Sequence, residues 1–246
     1  MAKKKTKEKI KNSEAEPVLK DNTRKKQNKQ VMISVILMIA VIVIIVAIPI
    51  VYKTFFNKFT YTNLEFEKTK LGQLNFYSTK IPIVEKAPPE GHLITPKEVS
   101  SYYSINFRND PRKLEYIPVN ITLKNSTQMD FIKVNTAYIS LDPNMKRCDD
   151  NSVALVNFAG FLRDIVGLKL RSAVSDENAS RELQITYITC EKNPLNTVIN
   201  LRSGNETKIE KTGKNCYVLT FKDCEVTQVT EKFDLAVLEG YMKYFE

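Results

Sequence analysis

Apolar and polar positions divide the chain into three stretches with different periods. From Val31 to Val51 almost every residue is apolar, broken only by Ser34 and Pro49. As a helix at ~1.5 Å per residue this run spans roughly 31 Å, the thickness of a bilayer core. It carries no charge and no polar stripe, whereas the core helix of a soluble domain keeps one polar face. Residues 57–127 alternate instead: Phe59, Tyr61, Leu64 and Phe66, then Leu74 and Phe76 after Gly72, then Tyr103, Ile105 and Phe107, then Ile117, Val119, Ile121 and Leu123. Alternation of this kind predicts half-buried strands. Pro118 confines the last of them to an edge or a strand start. Residues 82–98 hold Pro82, Pro88, Pro89, Pro96 and Gly91 and read as a loop, and Asn109-Asp110-Pro111-Arg112 reads as a turn.

Residues 129–246 change period again. Phe131–Leu141 is another strand-like run. Leu155, Phe158, Ala159, Leu162, Ile165 and Val166 then recur at helical spacing, which predicts a helix over 150–166. Asp149, Asp150, Asn151 and Ser152 supply N-cap residues, and Gly167 suits the C-terminal end. Strands are expected at 168–174, 183–190, 196–201 and 216–221, with a hairpin turn at Ser203-Gly204-Asn205-Glu206. Periodicity leaves 233–238 open between strand and helix. The expected class is α+β: an N-terminal transmembrane helix (31–51), an antiparallel β unit (57–127) and a mixed α/β unit (129–246) with one clear helix.

Charge adds topology to this picture. The net charge of +9 suggests nucleic acid until its distribution is read: +7 falls in residues 1–30 and only +2 in the other 216. A near-neutral folded part excludes a nucleic-acid partner. The basic tail, 1–30, is expected to be disordered and to face anionic lipid headgroups. Eleven basic residues precede the apolar run, and only Lys53 and Lys58 lie in the fifteen residues after it. The positive-inside rule then places the N-terminus in the cytoplasm and residues 52–246 outside a single-pass cell membrane. The run is longer than the core of a cleavable signal, and its exit, Ala47 to Tyr52, has no small-x-small site. A retained signal anchor is the expected state. Tyr52, Phe55 and Phe56 suit the headgroup interface.

The four cysteines Cys148, Cys190, Cys216 and Cys224 all lie beyond the apolar run. An even set confined to the outer side predicts two disulfides. No C-x₂₋₄-C knuckle or C-x-x-C pair is present for zinc or redox chemistry. Three pairings are open. Cys216–Cys224 is the least favoured, since an extended Cys216–Phe221 spans about 17 Å and three further residues recover only about 10 Å. Four N-x-[ST] sequons begin at Asn120, Asn125, Asn178 and Asn205, all on the expected outer side, and are candidate glycosylation sites. The one histidine, His92, sits in the 82–98 loop and builds no zinc site alone. Asp149-Asp150 lack the spacing of a calcium loop and read as helix caps. There is no G-x-S-x-G, H-E-x-x-H, P-loop or G-x-G-x-x-G. No catalytic, cofactor or metal residue is nominated.

The stretches Asn106-Phe-Arg-Asn-Asp-Pro-Arg-Lys-Leu-Glu115 and Asn215-Cys-Tyr-Val-Leu-Thr-Phe-Lys-Asp-Cys-Glu225, with the basic tail, anchor and sequons, resemble uncharacterised single-span archaeal membrane proteins with an extracytoplasmic domain. That resemblance implies a topology and no activity. The leading reading is a membrane-anchored surface module, non-catalytic, that binds or supports other envelope proteins or glycans. A tethered hydrolase-like enzyme and an accessory subunit of a larger membrane complex are the alternatives.

Overall fold

The computed structural model describes residues 18–84, 93–121, 136–193 and 195–245. Contacts separate the chain into two compact units, Met1–Phe56 and Asn57–Glu246.

The described part of the first unit is one helix, α1 (Val18–Phe56). Within it the 22 residues Asn28–Pro49 are long and apolar enough to cross a bilayer by length and composition. The helix begins inside the basic tail, so residues 18–30, expected to lack structure, are helical. A continuous helix continues hydrogen bonding through such polar residues at little cost, because Lys, Arg and Gln are good helix formers.

The second unit begins with an antiparallel meander of β1 (Lys58–Tyr61), β2 (Leu64–Leu71), β3 (Leu74–Val84) and β4 (Val99–Phe107), adjacent in that order. Each strand pairs with its sequence neighbour. Gly72 at φ +62° opens the two-residue turn between β2 and β3, as the sequence suggests. The turn between β1 and β2 is Thr62-Asn63, both at positive φ (45° and 60°), and splits what reads as one alternating run. One face of the meander carries Leu64, Phe66, Ile81 and Phe107, all buried. The other is polar, with Thr69, Ser78 and Asn106 in a hydrogen-bonded row across three strands (3.0 and 2.6 Å).

A 3₁₀ turn, Pro111–Leu114, comes next, with Asp110 accepting from the backbone N–H of Arg112 at 3.1 Å. Then come β5 (Val119–Asn120), β6 (Thr136–Leu141), α2 (Asn151–Asp164), β7 (Lys169–Val174), α3 (Glu177–Leu183), β8 (Thr197–Ser203), β9 (Lys208–Gly213), β10 (Cys216–Phe221) and α4 (Val226–Met242). They form a six-stranded mixed sheet in the order β5-β9-β10-β8-β6-β7. The parallel pairs β5–β9, β6–β7, β6–β8 and β8–β10 need crossovers, and α2 supplies the one between β6 and β7. All six residues of β10 are buried, so this central strand reads as a continuous apolar run rather than an alternation. Tyr217, Leu219 and Phe221 share one core with α2, α4 and the meander. Phe233 of α4 sits edge-on to both Phe158 and Tyr217, each at 5.6 Å.

The division expected between 127 and 129 falls outside the described residues, and the two sheets share that core. Several expected elements differ. Residues 183–190 are not a strand: α3 ends at Leu183 with Gln184 in the left-handed region (φ 54°), and only a bridge joins Val174 to Tyr187. The Asp176 carboxylate accepts from the Ala179 N–H and starts α3, a local cap that outweighs the apolar spacing of Leu183, Ile185 and Tyr187. The turn at 203–206 does not close a hairpin, because β10 lies between β8 and β9. Residues 233–238 are helical, inside α4. Asp150 occupies the N-cap position of α2, but its carboxylate accepts from the Thr227 hydroxyl at 2.8 Å and joins α2 to α4. Gly167 does adopt positive φ (79°) after α2, with the Leu168 N–H on the Leu162 carbonyl. His92 and residues 122–135 lie outside the described residues.

Candidate functional site

The cysteines pair as Cys148–Cys224 and Cys190–Cys216, with Cα atoms 5.7 and 5.5 Å apart. The first joins the approach to α2 with the loop before α4, across 76 residues. Beside it Lys146 pairs with Asp223 (3.4 Å) and its N–H bonds the Ser203 hydroxyl. These ties cross-link the carboxyl ends of β6, β8 and β10, where open α/β sheets usually take ligands. The second bridge fastens the segment after α3 to the face of β10 opposite the helices, where Ala173, Ile188 and Val198 form a small second cluster. The Ser140 hydroxyl donates to the Ile188 carbonyl at 2.7 Å on the same side.

Asn120, Asn178 and Asn205 are exposed, in β5, in the first turn of α3 and in the β8–β9 turn. Asn125 lies outside the described residues. Within the third of these sequons Thr207 is buried: its hydroxyl donates to Glu225 and accepts from the Lys222 N–H at 3.0 Å. Tyr116 donates to the other oxygen of Glu225 at 3.0 Å. Burial and that carboxylate push the Tyr116 phenol up to about 12.

A cleft of about 560 Å³ opens along α4, within the range of small-ligand sites. The helix face that forms one side carries Lys232, Ala236 and Gly240 at successive i, i+4 steps, and small side chains there let the surface recede. Ile117, Pro118 and Val119 form the opposite wall, held close because β5 pairs with β9 and Ile117 is buried. Four charged side chains line the cleft: Lys232 and Lys243, Glu115 and Glu239. Tyr61, the last residue of β1, reaches in and stands 3.3 Å from Lys232 Nζ. Burial lowers the Lys232 pKa, and the fields of Glu115 and Glu239 oppose that shift. Burial likewise raises Tyr61. Lys232 donates to the Tyr61 hydroxyl, which uses one of the three donors of its ammonium.

Behind the cleft, α4 buries two acids. Glu231 accepts from the N–H groups of Arg108 and Asn109 (2.5 and 3.0 Å) and from the Asn109 amide (2.8 Å). Burial still raises its pKa against those bonds. Asp234 is buried, with Oδ1 unpaired among the described residues, and burial, then the neighbouring Glu231, raise its pKa well above the usual range. Glu231 anchors α4 to the end of β4, and neither acid lines the cleft.

The sequence alone nominates none of the cleft's charged residues. The signal is present in α4 as apolar Val226, Val229, Phe233 and Val237 at helical spacing, with Lys232, Glu239 and Lys243 on another side; that it faces Tyr61 and Glu115 depends on long-range packing. No protein-family model matches the chain, and no curated protein or solved structure matches it.

Proposed function

We propose that this chain is a single-span, membrane-anchored extracytoplasmic module, N-terminus in the cytoplasm, with a binding or envelope-supporting role. The observation that carries the reading is the pairing of all four cysteines in the unit beyond the apolar helix. Disulfides persist in oxidising compartments, and an apolar helix preceded by eleven basic residues delivers the chain beyond it to such a compartment. The resemblance to single-span archaeal surface proteins agrees with this, and exposed Asn120, Asn178 and Asn205 stand where glycans would be accommodated. The cleft along α4 is the feature that supports a binding role. A tethered hydrolase is the second reading, favoured by one feature: a half-buried lysine with lowered pKa beside a tyrosine hydroxyl.

Topology is tested with protease and a membrane-impermeant thiol reagent on intact cells. Protease should remove residues beyond 57 and leave the basic tail. The cysteines should react only after reduction. Digestion of the tail, or four thiols alkylated without reductant, overturns the reading.

A further inference from the structure

Among the described residues, β1 and β4 border the meander, and β5 and β7 border the mixed sheet. A border strand offers backbone N–H and C=O groups to any further strand, and proteins guard such edges by keeping them short or by placing Lys, Arg or Pro on them. Three of the four borders are guarded in this way. β1 has four residues and begins at Lys58, which pairs with Glu65. β5 has two residues and follows Pro118. β7 carries Lys169 and Arg171, and a bridge joins its end, Val174, to Tyr187. β4 is different. It has nine residues, Val-Ser-Ser-Tyr-Tyr-Ser-Ile-Asn-Phe, with neither a charge nor a proline. Ser100 to Ser104 are all exposed. The register shift in its pairing with β3 falls before Ser101, so Ser101–Phe107 run regularly.

Charge selects the partner for this edge. A two-fold antiparallel pair lays a strand against itself, so each charged residue near the centre meets like charge. Self-pairing of β7 would bring Lys169 and Arg171 of two copies together, whereas β4 meets itself without that penalty. The exposed run centres on Tyr102, which is 67% exposed. Centred there, Tyr102 faces Tyr102 of the second copy, and Tyr103 faces its Ser101. Aromatic side chains directly opposite one another are favourable cross-strand pairs. We propose that β4 pairs antiparallel with β4 of a second copy of this chain, with Tyr102 at the two-fold axis, so that two four-stranded meanders become one continuous sheet. A single strand pair is a small interface and is weak in dilute solution. There the chain is monomeric, and Tyr102 keeps the exposed surroundings of the single unit. Two copies held in one bilayer by the apolar helix share a thin layer instead of bulk solvent, which raises their effective concentration. The pairing goes beyond the single-span reading and draws on it for that shared bilayer alone.

The test uses the full-length protein in detergent. Sedimentation velocity is run from about 1 to 200 µM, the range in which a small interface associates. Wild type should pass from monomer to dimer, and the amides of β4 should gain protection from hydrogen exchange as the dimer forms. Tyr102→Lys and Tyr102→Glu should each weaken association at least about tenfold, because each sets like charges against one another at the axis. Mixed in equal amounts, the two variants should associate again as a heterodimer, which also shows that both are folded. Leu71→Lys, at the exposed end of β2, should associate as wild type does. A wild type that stays monomeric overturns the proposal, as does a dimer unchanged in both Tyr102 variants or a mixture that does not recover. Protection of β4 that is the same at every concentration also overturns it, since another segment of the same chain then covers the edge. None of these outcomes alters the result of the topology experiment.

Discussion

The two sheets of the Asn57–Glu246 unit are closed in opposite ways. In the meander, β1 to β3 are joined by turns of two residues, and every pairing is between sequence neighbours. In the mixed sheet only β9 and β10 form a local hairpin; β10 pairs with β8 across the intervening β9, and the order β10-β8-β6-β7 rests on contacts between distant segments. Local turns meet the loop-closure entropy in small steps, while the mixed sheet must gather remote segments at once. Both disulfides lie in the second arrangement: Cys148–Cys224 spans 76 residues and Cys190–Cys216 spans 26. Covalent constraint stands where the topology is non-local, and turn chemistry where it is local.

Removing the longer bridge is the largest expected break of that contrast. Chain-entropy scaling gives a loss of about 4.5 kcal/mol for Cys148→Ala with Cys224→Ala, and about 3.5 kcal/mol for Cys190→Ala with Cys216→Ala. Denaturant unfolding of the full-length protein in detergent should show that order. The shorter bridge also fastens the Ile188 segment over β10, so its loss should expose amides there to hydrogen exchange first. Equal losses from the two pairs would mean that strain or residual denatured structure outweighs loop length.

Core truncation separates the sheets next. Phe158 is 1% exposed and packs edge-on against Phe233. Phe158→Ala should cost about 3–5 kcal/mol. Tyr102, on the outer side of the meander, is 67% exposed, and Tyr102→Ala should stay within about 0.5 kcal/mol. A thermal melt unchanged in the Phe158 variant would refute the shared core.

Legibility in the sequence divides along the same line. Strand β10, the helix α2, the Gly72 turn and the apolar part of α1 are all visible as local patterns. Three things are not. The β1–β2 turn is hidden because Thr62-Asn63 is an unusual pair for two positive-φ positions. Residues 183–190 imitate a strand because the cap at Asp176 acts from outside that window. The cleft is invisible because Tyr61, Glu115 and Lys232 are brought together by packing across 171 residues.

The joint between the sheets can be tested by pH. Glu231 binds the chain leaving β4, and Asp234 sits one turn further along α4 with its charge disfavoured by burial. The Asp234 pKa is raised in the folded state above the unfolded value of about 3.9. The folded state therefore holds the extra proton between those two values, and stability falls as pH rises through that window. In Asp234→Asn this share of the decline should vanish. Relative to wild type, the variant should therefore be more stable at neutral pH than at pH 4. Glu231, raised for the same first cause, leaves a residual slope of the same sign. Parallel stability–pH curves for wild type and variant would show that Asp234 is ionised in the fold.

The smallest effects belong to the turns of the meander, where a single Cβ at positive φ is added or removed. Gly72 has φ +62° and open space around a built Cβ, so Gly72→Ala tests the backbone alone. It should cost about 1 kcal/mol, the penalty of a left-handed conformation for an L-residue less the entropy that alanine removes from the unfolded chain. Thr62 is the converse. It is β-branched at φ 45°, and its hydroxyl is buried without a partner among the described residues. Thr62→Gly should relieve both, offset by the greater freedom of glycine in the unfolded chain, for a net gain of about 0.5 kcal/mol. Opposite signs in the two variants, read as shifts of the unfolding midpoint at constant slope, support local turn chemistry as what sets the register of this sheet. If Thr62→Gly destabilises, the threonine side chain contributes more through packing than its backbone strain costs. The turn would then be held from outside, as the strands of the other sheet are.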